Sequence, residues 1–394
     1  MMRAKTPEIA IARGPRRSRR LRPLAALAAA GTVLPVTAGV ASAGVHDSTY
    51  RQVNLRSDIP GLAPNDPDPD LVNSWGVSAS PGTDQAPGGA LWVSDNGTDK
   101  TTLYTSGTAT TVSKAGLVVT ITSGAPTGQI SNADTNSNDF VVRDAAGHSG
   151  PAAFIFVSEN GGIDGWNPNV GVAAGAKAPS TVTEVAHDSG AKAVYKGLAQ
   201  AQASDGRTYL YATNFRSGRV EVYNSDFKPA VLPGGRFVDP LLPRGYAPFD
   251  IAEFGGRLYV TYAKQDAARE DDVAGPGHGF VDVFSNNGTI LRRLATRGAL
   301  NSPWGLALAP ADFGRFSGAL LVGNFGDGRI NAYNPVTGFP LGQLRGTDGK
   351  PIAIDGLWSL RFGNGNAART NELIFSSGPD DEAHGLLGKL VLAS

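Results

Sequence analysis

Three segments of one stretch decide the fold: Asn301-Ser-Pro-Trp-Gly-Leu-Ala307, Gly318-Ala-Leu-Leu-Val-Gly-Asn324 and Arg329-Ile-Asn-Ala-Tyr-Asn334. The second and third segments are rich in aliphatic and aromatic residues, with the period-two alternation that is typical of β-strands. Gly326-Asp-Gly328 lies between them and has the composition of a hairpin turn. The stretch therefore predicts a short strand followed by an antiparallel pair.

A second copy lies near the start of the chain, where Asn73-Ser-Trp-Gly-Val77 is followed by Gly89-Ala-Leu-Trp-Val-Ser-Asp95. In both copies the Trp precedes the Leu of the next strand by 16 residues, Trp75 to Leu91 and Trp304 to Leu320. Two matches at one spacing indicate an internal repeat.

Weaker copies extend the repeat to six units, and no segment of comparable length shows the helical period. The additional strand pairs are 154–159 with 162–167, 209–214 with 218–223, 258–262 with 279–284, and 373–377 with 385–391. Units of this kind bury their faces against each other when they surround an axis. We therefore predict an all-β fold, a six-bladed β-propeller.

The predicted blade boundaries follow from the repeat. They are 71–121, 126–186, 194–238, 246–295, 301–346 and 352–394. The strand 50–55 has no unit of its own, and we expect it to close the ring by completing the last blade. Two β-sandwich domains are the alternative, with the Ala/Gly/Ser-rich stretch 169–193 as a linker. Because the repeat continues across that stretch, we interpret it as an insertion in a blade.

Composition fits a turn-rich β fold and excludes cysteine chemistry. The 394 residues include 51 Gly and 26 Pro, and 41% are hydrophobic, enough for a large core. The absence of Cys excludes disulfides, thiolate metal sites, cysteine nucleophiles and a lipoprotein anchor.

Residues 1–43 have the pattern of a secretory signal peptide. Eight Lys and Arg residues precede an apolar run from Leu24 to Val40, and Ala41-Ser-Ala43 forms a cleavage motif, so we expect cleavage after Ala43. Both the Sec and the Tat route fit this segment. Without it, 27 of the 35 basic and 34 of the 35 acidic residues remain, a net charge of about −7. We therefore expect a secreted or extracytoplasmic protein that binds no nucleic acid and enters no membrane after cleavage.

Several stretches together resemble a family of exported bacterial propellers. They are Leu71–Gly76, Phe154–Asn167, Tyr211–Phe215, Tyr246–Phe249, Tyr259–Asp266, Asp271–Gly277 and Gly378–Gly385. That family is uncharacterised and is related to NHL-repeat and SMP-30/gluconolactonase-like proteins. The resemblance covers about residues 50–394. It implies the propeller fold and export, and it carries over no catalytic position.

Alignment of the repeats gives one candidate metal site. The residues that end the second strand of each unit are Asp95, Glu159, Asn214, Tyr262, Asn324 and Ser377. In a propeller these positions are expected around the axis near one face. Asp95, Glu159, Asn214 and Asn324 would offer the oxygen ligands that Ca²⁺ prefers. The alternative is that these side chains accept backbone N–H bonds from the following turns.

Two further clusters carry ionisable groups. Asp380, Asp381, Glu382 and His384 could bind a metal or act as acid and base, or they form a solvated acidic loop. The second cluster belongs to an insertion, which we predict to be a lid or recognition loop. Its candidate residues are Lys264, Gln265, Asp266, Asp271, Asp272 and His278. The alternative is that this insertion is a surface loop without a binding role.

Other motifs give no site. Asp66-Pro-Asp-Pro-Asp70 resembles the start of an EF-hand loop but lacks the required Gly and Glu, with Leu71 and Val77 in their positions. Trp75, Trp304 and Trp358 recur at equivalent blade positions, so packing is favoured over sugar stacking.

The sequence thus favours a binding module whose site lies at the axial face. An unknown small molecule, glycan or peptide is the expected partner, and a divalent cation such as Ca²⁺ is a possible cofactor. A divalent-metal-dependent hydrolase of the lactonase type is the first alternative, and a structural cell-surface module is the second.

Overall fold

The structure is a computed structural model that describes residues 48–107, 109–134, 138–187, 192–232 and 234–393, and of His187 only the backbone. The predicted signal peptide, its cleavage site after Ala43 and His46 lie outside the described residues.

Short antiparallel strands form six sheets, which we number as blades I to VI in chain order. The strands of blades I to III and of a small hairpin (β7, β8) are β2 (Ser74–Ser78), β3 (Leu91–Asp95), β4 (Lys100–Ser106), β5 (Val112–Thr120), β6 (Pro126–Ser131), β7 (Val141–Arg143), β8 (Ser149–Pro151), β9 (Phe154–Ser158), β10 (Gly162–Trp166), β11 (Thr183–His187), β12 (Tyr195–Gln202), β13 (Thr208–Asn214) and β14 (Arg219–Tyr223). The remaining strands are β15 (Tyr246–Glu253), β16 (Arg257–Lys264), β17 (Gly279–Ser285), β18 (Ile290–Thr296), β19 (Pro303–Leu308), β20 (Leu320–Asn324), β21 (Ile330–Tyr333), β22 (Pro340–Gln343), β23 (Leu357–Phe362), β24 (Leu373–Ser377), β25 (Leu386–Leu392) and β1 (Tyr50–Ser57).

The predicted six-bladed propeller is confirmed. Blades I, IV and V are β2-β3-β4-β5, β15-β16-β17-β18 and β19-β20-β21-β22, and blade II is β6-β9-β10-β11. Blade III contains three strands, β12-β13-β14, in the part of the chain that the structure describes. The predicted insertion 169–193 follows β10 and contributes β11, the outer strand of blade II. Within the described residues no helix is both long and apolar enough to cross a membrane.

The N-terminal strand closes the ring, as predicted. β1 pairs antiparallel with β25 and becomes the outer strand of blade VI, β23-β24-β25-β1. The register runs from Tyr50 opposite Leu392 to Ser57 opposite Leu386. Tyr50 is buried, and its hydroxyl donates to the carbonyl oxygen of Phe313 in blade V (2.8 Å). The closing strand therefore ties blade VI to blade V as well.

Each innermost strand carries a register irregularity near its start, and this explains the repeated Trp-Gly pair. The pairing shifts between Ser74 and Val77 in blade I and between Pro303 and Leu306 in blade V. A bulge of this kind turns a side chain out of the regular alternation. The residues at this position are Trp75, Thr127, Lys196, Phe249, Trp304 and Trp358. The residue after Trp75 is a glycine, Gly76, because the Cβ of any other residue would lie 2.3 Å from the carbonyl oxygen of Thr127 in the next blade.

The stretch Asp66-Pro-Asp-Pro-Asp70 has a structural role, because two of its acids form ion pairs with blade I. Asp68 is 1% exposed, accepts a hydrogen bond from the Tyr104 hydroxyl (2.8 Å) and forms an ion pair with Lys114. Asp70 pairs with Lys114 (2.7 Å) and with Lys100 (2.6 Å). These ion pairs fasten the segment that follows β1 to the outer strands of blade I.

Candidate ligand site on the axial face

Aromatic side chains from the innermost strands fill the centre of the ring. Trp75 and Trp358 stack with their ring centroids 3.6 Å apart, and Phe325 stacks on the other side of Trp358 at 3.9 Å. Trp304 meets both tryptophans edge to face. Trp75, Trp304 and Trp358 are at most 4% exposed. They pack against one another, in agreement with the packing interpretation.

Lys196 occupies the equivalent position in blade III, where most other blades have an aromatic residue. Its Nζ lies 5.1 Å from the centre of the Trp75 ring and donates hydrogen bonds to the carboxylates of Glu159 and, at 3.3 Å, Asp271. The side chain is 2% exposed. Burial lowers the pKa of Lys196, but the charges of Glu159 and Asp271 outweigh it, so the pKa lies above its ordinary value. The axis therefore holds a buried ammonium group.

A chain of amide hydrogen bonds connects this ion pair to a second carboxyl group. Asn96 Nδ2 donates to Glu159 (2.9 Å), and Asn73 Nδ2 donates to Asn96 Oδ1 (3.3 Å) and to Glu382 (2.6 Å). Asn73 Oδ1 accepts from the indole N–H of Trp358 (3.0 Å). Asn73 is thereby fixed against the aromatic cluster, and it orients Glu382 toward the ion pair.

The Glu382 carboxyl group can exist in both protonation states near neutral pH. Burial and the nearby charge of Glu159 raise its pKa to about 7, while Lys196 and the hydrogen bond from Asn73 act in the opposite direction. Glu159 is paired directly with the ammonium group of Lys196. A carboxyl group whose pKa lies near neutrality can both donate and accept a proton.

Unusual backbone geometry presents Glu382. Asp380, Asp381 and Glu382 have φ angles of 58°, 50° and 67°, three consecutive non-glycine residues in the left-handed region. Each costs about 1–2 kcal/mol relative to the right-handed conformation. Hydrogen bonds from Glu382 N to Gly378 O (3.1 Å) and from Ala383 N to Asp380 O (3.1 Å) stabilise the turn. Such strained segments cluster at functional sites.

The other predicted residues of this acidic cluster lie outside the site. Asp380 and Asp381 are exposed. His384 pairs through Nδ1 with Asp58 (2.8 Å), and this contact raises the pKa of His384. From the stretch 380–384, the Glu382 carboxyl and the carbonyl oxygen of His384 therefore both accept hydrogen bonds from Asn73, the latter from its backbone N–H (3.0 Å).

The predicted recognition loop reaches the site through its acidic tip. Asp271 contacts Lys196, and Glu270 forms an ion pair with Arg216 of blade III. Gln265 Nε2 donates to the carbonyl oxygen of Phe215 (2.5 Å). Arg216 also donates to the carbonyl oxygen of Ala268 (3.2 Å), so several contacts tie the loop to blade III.

Two of the remaining candidates, Asp266 and His278, maintain the shape of the loop itself. The Asp266 carboxylate accepts the backbone N–H of Glu270 (2.9 Å), and His278 Nδ1 lies 2.7 Å from the carbonyl oxygen of Val273. Asp272 is largely buried, which raises its pKa. Lys264 is paired with Tyr246 in the sheet of blade IV.

A cavity of about 490 Å³ opens beside the ion pair between blades II and III and the loop. Its lining residues are Glu159, Asn160, Lys192, Ala193, Val194, Arg216, Glu270 and Asp271. Charges of both signs line it, so it suits a polar ligand with hydrogen-bonding groups in several directions.

Strand register separates Glu159 from the other three residues of the predicted oxygen ring. Asp95 pairs with Ser74, Asn214 with Tyr195 and Asn324 with Pro303 at the starts of the innermost strands. In blade II the residue at this position is Ser158, so Glu159 is one residue further along. A shift of one residue in a strand moves the side chain to the opposite face.

The four candidates accordingly have different surroundings. Asp95 is fully buried in blade I, where burial raises its pKa. Asn214 donates to Glu221 (2.7 Å), Asn324 donates to Asp327 (2.9 Å), and Glu159 alone contacts the axial residues. In the described ranges, no three His, Cys, Asp or Glu side chains are grouped so that they could hold a metal ion.

Sequence reasoning missed Lys196, Asn73, Asn96 and Arg216. One signal could have found Lys196. The repeat places Trp before Gly in blades I and V, whereas blade III has Tyr195-Lys-Gly197. A charged residue at an otherwise apolar axial position is the kind of exception that marks a site.

No protein-family profile matches the chain. The chain is similar to two proteins of Acanthamoeba polyphaga mimivirus, both named as uncharacterised. It is 32% identical to protein R648 over 82% of this chain and 76% of that protein, and 31% identical to protein L690 over 82% and 81%. These relatives are viral, whereas the resemblance drawn from the sequence was to bacterial proteins.

Among solved structures, the chain is similar to a streptogramin B lyase, with a TM-score of 0.44 and 10% identity over 88% of this chain and 98% of that one. It is also similar to a glucose dehydrogenase, with a TM-score of 0.48 and 14% identity over 88% and 100%. A putative gluconolactonase matches with a TM-score of 0.39 and 18% identity over 61% and 73%.

Proposed function

We propose that this chain, which belongs to the same family as the mimivirus proteins R648 and L690, is an extracytoplasmic binding protein whose ligand occupies the cavity beside Lys196. Export through the signal peptide 1–43 is part of this proposal. The ligand class is a small polar molecule, glycan or peptide end with hydrogen-bonding groups. A volume of about 490 Å³ lies within the range of small-molecule sites.

One observation carries the proposal: a charged lysine is buried among aromatic residues, and both of its carboxylate partners, Glu159 and Asp271, line an open polar cavity. A buried ion pair is weak support for stability, since apolar residues of similar volume are often at least as stabilising. Thr127 and four aromatic residues occupy the position in the other blades. A stabilising role alone would therefore not require Lys196, whereas recognition of a polar ligand uses its charge and those of its partners.

The hydrolase alternative is supported by Glu382, whose pKa of about 7 suits proton transfer. A divalent cation at this site would compete with Lys196 for the carboxylates of Glu159 and Asp271. For the hydrolase alternative, acid–base catalysis by Glu382 is therefore better supported than catalysis that depends on Ca²⁺. A purely structural module would leave the cavity and the ion pair without a role.

Thermal unfolding of the purified protein tests the proposal, with EDTA, with Ca²⁺, Mg²⁺ or Mn²⁺, and with panels of sugars and short peptides. A ligand at one hundred times its Kd adds about 2.7 kcal/mol to stability. We expect at least one polar organic ligand to stabilise the wild-type protein, and Lys196→Met to abolish that shift.

Asp380→Asn is the matched control, because Asp380 is an exposed acid two residues from Glu382 and outside the cavity. It should keep the ligand-induced shift in full. A shift that survives Lys196→Met, or no shift with any panel, would contradict the proposal. A cation-specific shift that Glu159→Gln removes would favour the metal-dependent alternative.

A further inference from the structure

A second cavity, of about 310 Å³, lies on the axis at the other ends of the innermost strands. The residues of the axial site, such as Asn73 and Lys196, lie at or before the bulges of the innermost strands. The residues that line this cavity lie at or after those bulges. All six innermost strands contribute to its lining, which includes Gly76, Gln129, Leu198, Asp250, Trp304 and Arg361. Trp304 belongs to the aromatic cluster that fills the centre of the ring. The two cavities therefore occupy opposite ends of the axis.

Arg361 brings a positive charge into this cavity without an acidic partner. In the described part of the chain, its guanidinium donates to the carbonyl oxygen of Ala79 (3.1 Å), Nε has no hydrogen-bond partner, and no carboxylate lies within ion-pair distance. Burial lowers the pKa of Arg361 to about 10, so it stays charged at neutral pH. Arg361 is half-buried, and a partly desolvated cation without a counter-charge favours an anion.

Asp250 supplies a second polar group, whose carboxyl accepts a hydrogen bond from the backbone N–H of Ile251. It is 7% exposed, and burial raises its pKa well above the ordinary value. The amides around it are already engaged: Gln129 Nε2 donates to the carbonyl oxygens of Gly76 (2.7 Å) and Trp92 (3.0 Å), and Gln200 Nε2 donates to Asn132 (2.7 Å). Glu253, the third ionisable residue of the lining, is exposed and accepts a hydrogen bond from the backbone N–H of Gly256 (2.6 Å). Asp250 and Arg361 are thus the ionisable lining groups that are not fully exposed.

We propose that this second cavity binds a small carboxylate, which pairs with the guanidinium of Arg361, while Asp250 in the same lining bonds a hydroxyl or ammonium group of the ligand. Guanidinium and carboxylate match in geometry and form two parallel hydrogen bonds. The ligand class is accordingly a small hydroxy or amino acid. The site is independent of the cavity beside Lys196, because the aromatic cluster lies between the two.

Binding of glycolate, glycine and neutral glycolamide to the purified protein tests the proposal, measured by ligand-observed NMR at millimolar concentrations. We expect glycolate or glycine to bind at least about tenfold more tightly than glycolamide, which corresponds to about 1.4 kcal/mol. Equal binding of glycolamide, or no binding of either carboxylate, would overturn the inference. This series needs no variant.

Variants locate the site. Arg361→Gln should abolish carboxylate binding, and Asp250→Asn should preserve glycolate binding but change the ratio of glycine to glycolate affinity. Asp380→Asn, at an exposed acid outside the linings of both cavities, should leave both affinities unchanged. Carboxylate binding that Arg361→Gln preserves, or that Asp380→Asn removes, would overturn the assignment. If Arg361→Gln does not fold, the wild-type series and Asp250→Asn decide.

Discussion

Glu159→Gln is expected to lower the free energy of unfolding by about 3 kcal/mol, as removal of one partner of a buried ion pair does. Lys196 remains 2% exposed in this variant, and its nearest acidic partner is then Asp271 at 3.3 Å, whose side chain is 73% exposed. The charge of a hydrated carboxylate offsets only a small part of the desolvation cost of a buried ammonium group. The protein must then either bury an uncompensated charge or deprotonate Lys196.

Lys196→Met is the matched comparison and is expected to cost less, under about 1.5 kcal/mol. It removes the buried charge, and the methionine side chain can pack against Trp75 and Phe215. Glu159 retains 25% exposure and can be hydrated. Urea denaturation of the single variants and of the double variant measures both effects. The double variant should resemble Lys196→Met, and a larger loss for Lys196→Met than for Glu159→Gln would contradict the description of the ion pair.

Removal of the closing strand is expected to have the largest effect. A chain that begins at Leu62 should be less stable than one that begins at Gly44 by more than about 5 kcal/mol. The shorter chain lacks Tyr50, Val53 and Leu55, all buried, and exposes the edge of β25. Each buried apolar side chain contributes about 1.5–3 kcal/mol.

Tyr50→Phe separates the hydroxyl contact from the rest of the strand. It removes only the hydrogen bond to the Phe313 carbonyl oxygen, so a loss of about 1 kcal/mol is expected. Differential scanning calorimetry of the two chains and of this variant measures the series. Equal midpoints for the chains that begin at Leu62 and Gly44 would show that ring closure adds no stability.

The fold was predictable because the strands of each blade need alternating apolar residues, and such residues recur along the sequence at a regular spacing. Alternating apolar residues identify the strands, and the spacing from Trp75 to Leu91 and from Trp304 to Leu320 marks equivalent positions in blades I and V. The lone strand 50–55 had no partner within its own unit, so ring closure was the remaining way to pair it. Its pairing with β25 confirms this reasoning.

The candidate site was predictable only in part, because it depends on register and on loops. Aligning Glu159 with Asp95 placed it one residue out of register, and one residue decides whether a side chain faces the axis or the interior of a blade. The approach of Glu382 to Asn73 depends on three left-handed residues that no turn pattern in the sequence indicates. Composition identified the acidic loop but not which of its acids reaches Asn73.

The most direct test of the coupled axial site is the pH titration of the Glu382 side-chain carboxyl by carbon-13 NMR. In the wild-type protein we expect a pKa of about 7. Glu159→Gln should lower the pKa of Glu382, because the charge of Glu159 raises it, and Lys196→Met should raise it further, because the ammonium group lowers it. Titration of Glu382 near the ordinary value of about 4.3, unchanged by either substitution, would contradict the account.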